Sequence, residues 1–518
     1  MHTRRLRPFR AALRPRIRPM DRRRFVGLCA GSLALAAAGC RRTGDPAYAR
    51  GPIMVMAVPD VNSIKPDWYD LDKLLFPLLA VMDENEDLEP RFARSWESSA
   101  DKLEWTYNLR TDLRWSDGAA VTAHDVKFTL DLLQHPDVAE YFFDSVTVLD
   151  DYTVKIRSAF AYQDDITFFP KHVLERLEPK GYMDWDFWLH PTVSAGPYRF
   201  VRYVPDTMME LEANPNYYRG RQKIERVILK FVGQAGLAEL LSGNADVVLY
   251  ADPAQIPFVA KDPRFRVYQS IGPVAEAIYW KCDHPLFRDP RVRRALTLAI
   301  DRHALLEVLN LPSDLPITDG VFTNQQFRRR QFPEPLPYDP EQARALLEAA
   351  GWQDHDGDGV REREGRRFSF TAIVGSVDMQ GRDRLAVYVQ VMLRRVGVHM
   401  DIQMLDTSQA SLDTGDFEAI FRNANFDLGR FFGRNNPTGY VHPEVVRLTD
   451  QLPVTADLEE VDRIYQALTE IFRADLPLTR LIPRTTTTFA HRRVQGLSTP
   501  FHASPDTYIE DLWSETEP

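Results

Sequence analysis

The sequence predicts a mixed α/β protein of two or three domains. Three observations carry that reading. Leu103, Trp105, Tyr107 and Leu109 alternate with polar residues, the signature of a half-buried strand. Val292, Ala295, Leu296, Ala299 and Ile300 recur at helical spacing behind Asp289-Pro290, an N-cap with proline at the first helical position. Further on, an apolar run over 368–374, a helical stripe of Leu385, Val389, Met392, Leu393 and Val396, and alternating Val398, Met400, Ile402 and Met404 make a strand–helix–strand unit. Such a unit implies a locally parallel sheet.

The N-terminal region reads differently. Residues 1–19 carry seven arginines and three prolines with no apolar periodicity, so Met20 is expected to be the true start. From Asp21 the chain runs through Arg22-Arg23-Arg24 into the uncharged stretch Phe25–Gly39 and then Cys40. That stretch is 15 residues long, short of the ~20 a spanning helix needs. A basic segment, a short apolar segment and small residues before a cut site describe a secretory signal. Ala37, Ala38 and Gly39 before Cys40 resemble the lipobox of bacterial lipoproteins, in which the cysteine is acylated, although the usual leucine is Ala37 here. Arg22 and Arg23 resemble the twin-arginine export pattern, and an arginine-rich Sec signal is the alternative.

Removing residues 1–39 takes away ten arginines and one acid, leaving 54 basic and 73 acidic side chains, a net charge near −19. Nucleic acid and anionic membrane surfaces repel such a chain. Of three cysteines, Cys29 lies in the signal and Cys40 takes the lipid, so Cys282 has no internal partner and the fold rests on its core.

Between these ends, "WSDG" at 115–118 reads as a turn. Thr122 caps a helix, with Asp125 as its capping-box partner and Val126, Leu130 and Leu133 as its buried stripe. Tyr152, Val154 and Ile156 form another strand. Asp339-Pro340 starts a second capped helix, with Ala343, Leu346, Leu347 and Ala350 on one side and Gly351 at its end.

Four stretches resemble family 5 of the solute-binding proteins of ABC importers, the large family of oligopeptide and dipeptide binders. They are "LEPRFARSWESSADKLEWTYNLRTDLRWSDGAAVTAHDVKFTLDLL" (88–133), "SAGPYRFVRYVPDTMMELEANPNYYRG" (194–220), "FRDPRVRRALTLAIDRHALL" (287–306) and "YDPEQARALLEAAGW" (338–352), in family order. The resemblance implies a periplasmic binding protein-like II fold: two α/β lobes with a hinge plus an extra domain. Lobe I is expected from residues 40–65, 190–277 and 491–518, the extra domain from 66–189, and lobe II from 278–490. It also implies capture of a solute, a peptide first among the classes, and delivery to ABC permease subunits by a lipid-tethered monomer. Nickel chelates, haem, sugars and opines are bound by other members.

By the same resemblance Asp427 falls on the carboxylate that meets a peptide's α-ammonium in peptide-binding relatives. The tryptophan expected before it is Ala424, and the aromatic after it is Leu428. Arg422, Asn423, Asn425 and Arg430 flank it and are expected to hydrogen-bond a ligand. Tyr279 and Trp280 are expected either to line the pocket or to sit in the core.

Asp354, Asp356, Asp358 and Gly359 match positions 1, 3, 5 and 6 of a calcium loop, with Glu362 at position 9. Position 12 is Gly365 where a glutamate belongs, so a plain turn is the competing reading and no other cofactor is expected. Enzyme signals are sparse: Ser99 and Lys102 match Ser-x-x-Lys, but the companion Ser-Asp-Asn and Lys-Thr-Gly motifs are absent. A Ser–Lys hydrolase of the penicillin-binding type and a non-transport sensor or chaperone are the alternatives to transport.

Overall fold

The computed structural model describes residues 53–514 except 59–70, 83–87, 101–102, 136–137, 139–142, 159–166, 323–330, 376–380, 406–414, 425–431, 434–435, 453–454, 456 and 498–512. Arg22, Arg23 and Cys40 lie outside the described residues. A ten-stranded mixed sheet runs through the molecule, with a separate four-stranded antiparallel sheet beside it.

The four-stranded sheet is built from Ala93–Ser98, Glu104–Leu109, Thr153–Ser158 and Phe143–Asp150, in that spatial order. Tyr107 pairs with Val154 and Trp105 with Ile156, so alternate side chains of both strands bury on one face. Helix Ala123–Leu133 packs there, with Val126, Leu130 and Leu133 buried as its periodicity predicts. The capping box forms: the Thr122 N–H donates to Asp125 Oδ2 at 2.8 Å, while the Thr122 hydroxyl accepts from the helix. Asp125 also accepts the Lys171 N–H; its burial raises its pKa, and these two N–H groups oppose the rise. Trp115 is fully buried at the expected turn, which Gly118 closes at φ 94°.

Two long strands, Phe265–Trp280 and Leu478–His491, pair antiparallel and join the two halves of the large sheet. Their register slips between Ile271 and Ala275, around Gly272-Pro273 and opposite Pro483. Proline cannot donate to a ladder and settles at such irregularities. On one side lie Val247–Val248, Ile53–Val58, Arg226–Phe231, Met208–Ala213 and Tyr198–Val204; on the other lie Ala419–Ala424, Ser369–Gly375 and His399–Leu405. The first group is lobe I and the second lobe II. Asp246 stitches distant segments of lobe I, accepting the Val55 N–H at 2.8 Å and the Arg493 Nε–H at 3.0 Å.

The sequence-predicted strand–helix–strand unit is the frame of lobe II. Ser369–Gly375 and His399–Leu405 pair parallel, with helix Arg382–Arg394 between them in sequence. Gly397 sits at φ 84° just beyond that helix, a conformation open to glycine at low cost. Helices Pro290–Leu298 and Pro340–Ala349 start at the expected Asp289 and Asp339 caps. Trp280, Phe287, Phe368, Phe370 and Trp352 form a chain of ring contacts in this lobe's core. Burial of each such side chain contributes roughly 1.5–3 kcal/mol. Lobe I has its own cores, one including Ala57, Val248, Ala251 and Phe489 and one shared with the four-stranded sheet.

Candidate functional site

Strand direction locates the site. Ile53–Val58 runs parallel to Arg226–Phe231 and Val247–Val248. Val247–Val248 is antiparallel to Leu478–His491, which is antiparallel to Phe265–Trp280. The parallel strands of lobe I therefore run the way Phe265–Trp280 runs, toward lobe II. Ala419–Ala424 is antiparallel to Phe265–Trp280, and Ser369–Gly375 and His399–Leu405 are parallel to Ala419–Ala424 or to each other. The parallel strands of lobe II thus run toward lobe I. The carboxyl ends of two sets of parallel strands face each other across the irregular middle of the crossing strands. In open α/β sheets, ligands bind outside such carboxyl ends.

Asp427 and Asn425 follow directly on the carboxyl end of Ala419–Ala424; they and Arg430 lie outside the described residues. Arg422 is half-buried on that strand, opposite Ala277. Ala424 is buried and pairs with Ala275.

Tyr279 and Trp280 are buried in the apolar core of lobe II. The Trp280 indole N–H donates to the Thr479 hydroxyl at 3.0 Å, and the Tyr279 hydroxyl donates to the Asn423 carbonyl at 3.2 Å. Both are core positions, the second of the two expectations, because they are sealed among aromatic neighbours such as Phe287 and Phe432.

Charged side chains that the sequence reading passed over gather near the carboxyl ends. Arg382, the first residue of its helix, makes a bidentate ion pair with Glu276 of the crossing strand, at 2.7 and 3.1 Å. Its Nη2 also donates to Asn423 Oδ1 at 2.7 Å. Elsewhere in lobe II, Arg302 pairs with Asp319 at 2.6 Å, and Asp319 accepts the Leu336 N–H. Arg480 lies beside them with its guanidinium over Phe322, and burial pulls its pKa down to about 10. One sequence signal pointed here. Arg382 and Arg384 stand in the first turn of a helix, where the macrodipole disfavours cations, so each needs an acid from elsewhere.

In the acidic loop, carboxylate oxygens of Asp354, Asp356 and Glu362 lie within 4.8 Å of one another. Asp358 does not join them. It is drawn to Arg367, and the Val360 N–H and that guanidinium lower its pKa. The remaining acids are engaged with the loop itself: Asp354 accepts from Gly357 and Gly359, and Glu362 accepts the His355 N–H. A calcium ion would find three exposed or half-exposed carboxylates, already hydrogen-bonded, and no twelfth-position glutamate.

Ser99 ties a hairpin. Its hydroxyl accepts the Glu104 N–H and donates to the Glu104 carbonyl. Lys102 lies outside the described residues. Cys282 is buried, and burial pushes its thiol up to about 11, the setting of an inert structural cysteine. An open cavity of about 540 Å³, with Lys281, His284, Thr371 and Glu418 among its lining residues, borders the start of Ala419–Ala424. Among the described residues no helix is long and apolar enough to cross a membrane.

The sequence model described as "Bacterial extracellular solute-binding proteins, family 5 Middle" matches residues 87–434. The oligopeptide-binding protein AppA of Bacillus subtilis is 23% identical, over 94% of this chain and 96% of that protein. A putative ABC transporter peptide-binding protein of Brucella ovis is 29% identical over 54% of this chain and 55% of that protein. Among solved structures, NikZ from Campylobacter jejuni in complex with Ni(L-His) superposes with a TM-score of 0.76 at 23% identity, covering 89% of this chain and 99% of that one. AppA from Bacillus subtilis with a nonapeptide gives 0.72 at 21% identity, covering 90% and 99%.

Proposed function

The chain belongs to family 5 of the bacterial extracellular solute-binding proteins, and from that premise we propose that it captures a peptide between its lobes and hands it to an ABC permease. The observation that supports this most directly is the pair of opposed carboxyl ends, one set on each lobe, joined among the described residues by two continuous strands. A joint of two strands with a register slip lets the lobes move as bodies, and hinge closure around a ligand is what such a joint permits. Asp427, three residues beyond Ala424 in the sequence, is the proposed partner of the peptide's α-ammonium, with Arg422 and Asn425 as neighbours that hydrogen-bond the ligand. Cys40 is the proposed lipid attachment that keeps the protein near its permease, and Arg22 and Arg23 belong to the export signal. The protein acts as a monomer and makes or breaks no bonds.

A second reading, a small non-peptide solute, rests on Ala424 and Leu428 standing where peptide binders place aromatic side chains. Native mass spectrometry of the protein purified from its own host separates the two. A distribution of peptide masses supports the first reading. A single small mass replaces it with the second, and a protein that carries nothing and shifts its melting temperature with no solute defeats both.

A further inference from the structure

Among the described residues, an ion pair joins an end loop of one lobe to a helix of the other. Arg384 Nη2 lies 2.6 Å from Asp252 Oδ1. Asp252 follows Val247–Val248 at the carboxyl end of a lobe I strand, and its neighbour Ala251 is part of a lobe I core. Arg384 is in the first turn of helix Arg382–Arg394, whose Leu385 and Ala386 are packed in the separate core of lobe II. The two residues are anchored in different cores and meet in front of the opposed carboxyl ends.

The local chemistry suits a contact that forms and breaks. The two side chains are 31% and 33% exposed, whereas Arg382, two residues from Arg384 and paired to Glu276 of the crossing strand, is 1% exposed. An arginine in the first turn adds nothing to its helix, since the dipole there favours acids; its gain comes from the partner. Gly381 leaves the passage open. A Cβ at that position would stand 2.8 Å from Arg384 Nη2 and 2.5 Å from a Leu309 methyl. Asp252 also accepts the Ala254 N–H at 2.9 Å, which fixes its carboxylate without using up its charge.

We infer that Asp252 and Arg384 form an interlobe latch, a pair of positioning residues that favours approach of the lobes and so sets how tightly a captured solute is held. The inference rests on the reading of the protein as a two-lobed capture device. Its test needs no ligand. Nitroxides are placed at Phe258→Cys on lobe I and Val441→Cys on lobe II, both highly exposed, in the mature chain carrying Cys40→Ser. The distance distribution between them is read by pulsed electron resonance on the solute-free protein. Asp252→Ser keeps an oxygen for the Ala254 N–H and removes the charge; Arg384→Gln removes the other charge. Each should shift the ratio of near to far populations about two- to fivefold toward the far one, the range of a partly exposed pair. Sodium chloride at about 0.5 M should move the unaltered pair the same way by screening. The exchanged pair Asp252→Arg with Arg384→Asp should restore the original ratio. Unchanged distances in both single variants, or no recovery in the exchanged pair, overturn the latch. A native protein found to carry no solute would instead strike at the capture reading and leave these distances to be judged separately.

Discussion

The interior of lobe II and the 354–362 loop place the same side chains in opposite circumstances. Inside, Asp319 is 1% exposed and meets Arg302 and the Leu336 N–H. In the loop, Asp354 and Asp356 are open to water and accept N–H groups from their own turn. Taking away one partner in the interior leaves a charge that neither water nor a neighbour can compensate, whereas at the surface water takes the partner's place. The worth of a carboxylate in this chain therefore follows from where the fold puts it.

The comparison can be broken or sharpened by experiment, beginning with the interior. Asp319→Ala leaves Arg302 buried and the Leu336 N–H without its acceptor; a loss of about 3–5 kcal/mol in urea unfolding is expected. A loss near zero would mean that water reaches the pair and that interior and loop do not differ. Next comes the proposed ligand carboxylate. Asp427→Asn should weaken binding of a peptide recovered from the native protein at least tenfold, about 1.4 kcal/mol, by calorimetry. Unchanged affinity removes Asp427 from the site. Thr122→Ala removes one half of the capping box while Asp125 stays buried, and should cost about 1 kcal/mol of stability. The smallest effect is expected at the loop: adding a chelator should leave the melting temperature where it was. A drop of several degrees would give the loop a bound cation and overturn its reading as a turn closed by its own hydrogen bonds.

Much of the fold was legible because its signals are local. The Asp289, Asp339 and Thr122 caps, the glycine after the helix of the parallel unit, and the buried stripes each depend on residues within a turn or two. Boundaries shifted by a residue or two, as fraying ends do. The site was less legible. Glu276 and Arg382 are 106 positions apart and Asp252 and Arg384 are 132 apart, and no periodicity links such positions. Tyr279 and Trp280 show the same limit from the other side, since an aromatic near a hinge and an aromatic in a core are spelled identically. For Asp358 the sequence supplied a spacing, but Arg367 across a short hairpin captured the carboxylate.

By itself the sequence determined the α/β class, the N-caps of the helices and the family to which the chain belongs. These follow from short-range sterics, hydrogen-bond geometry and composition. Only the tertiary structure decided that one sheet runs unbroken through both lobes, that the carboxyl ends of their strands oppose each other, and that Asp252 reaches Arg384. Such facts depend on strand order and register between distant segments, which are fixed when the cores pack and not before.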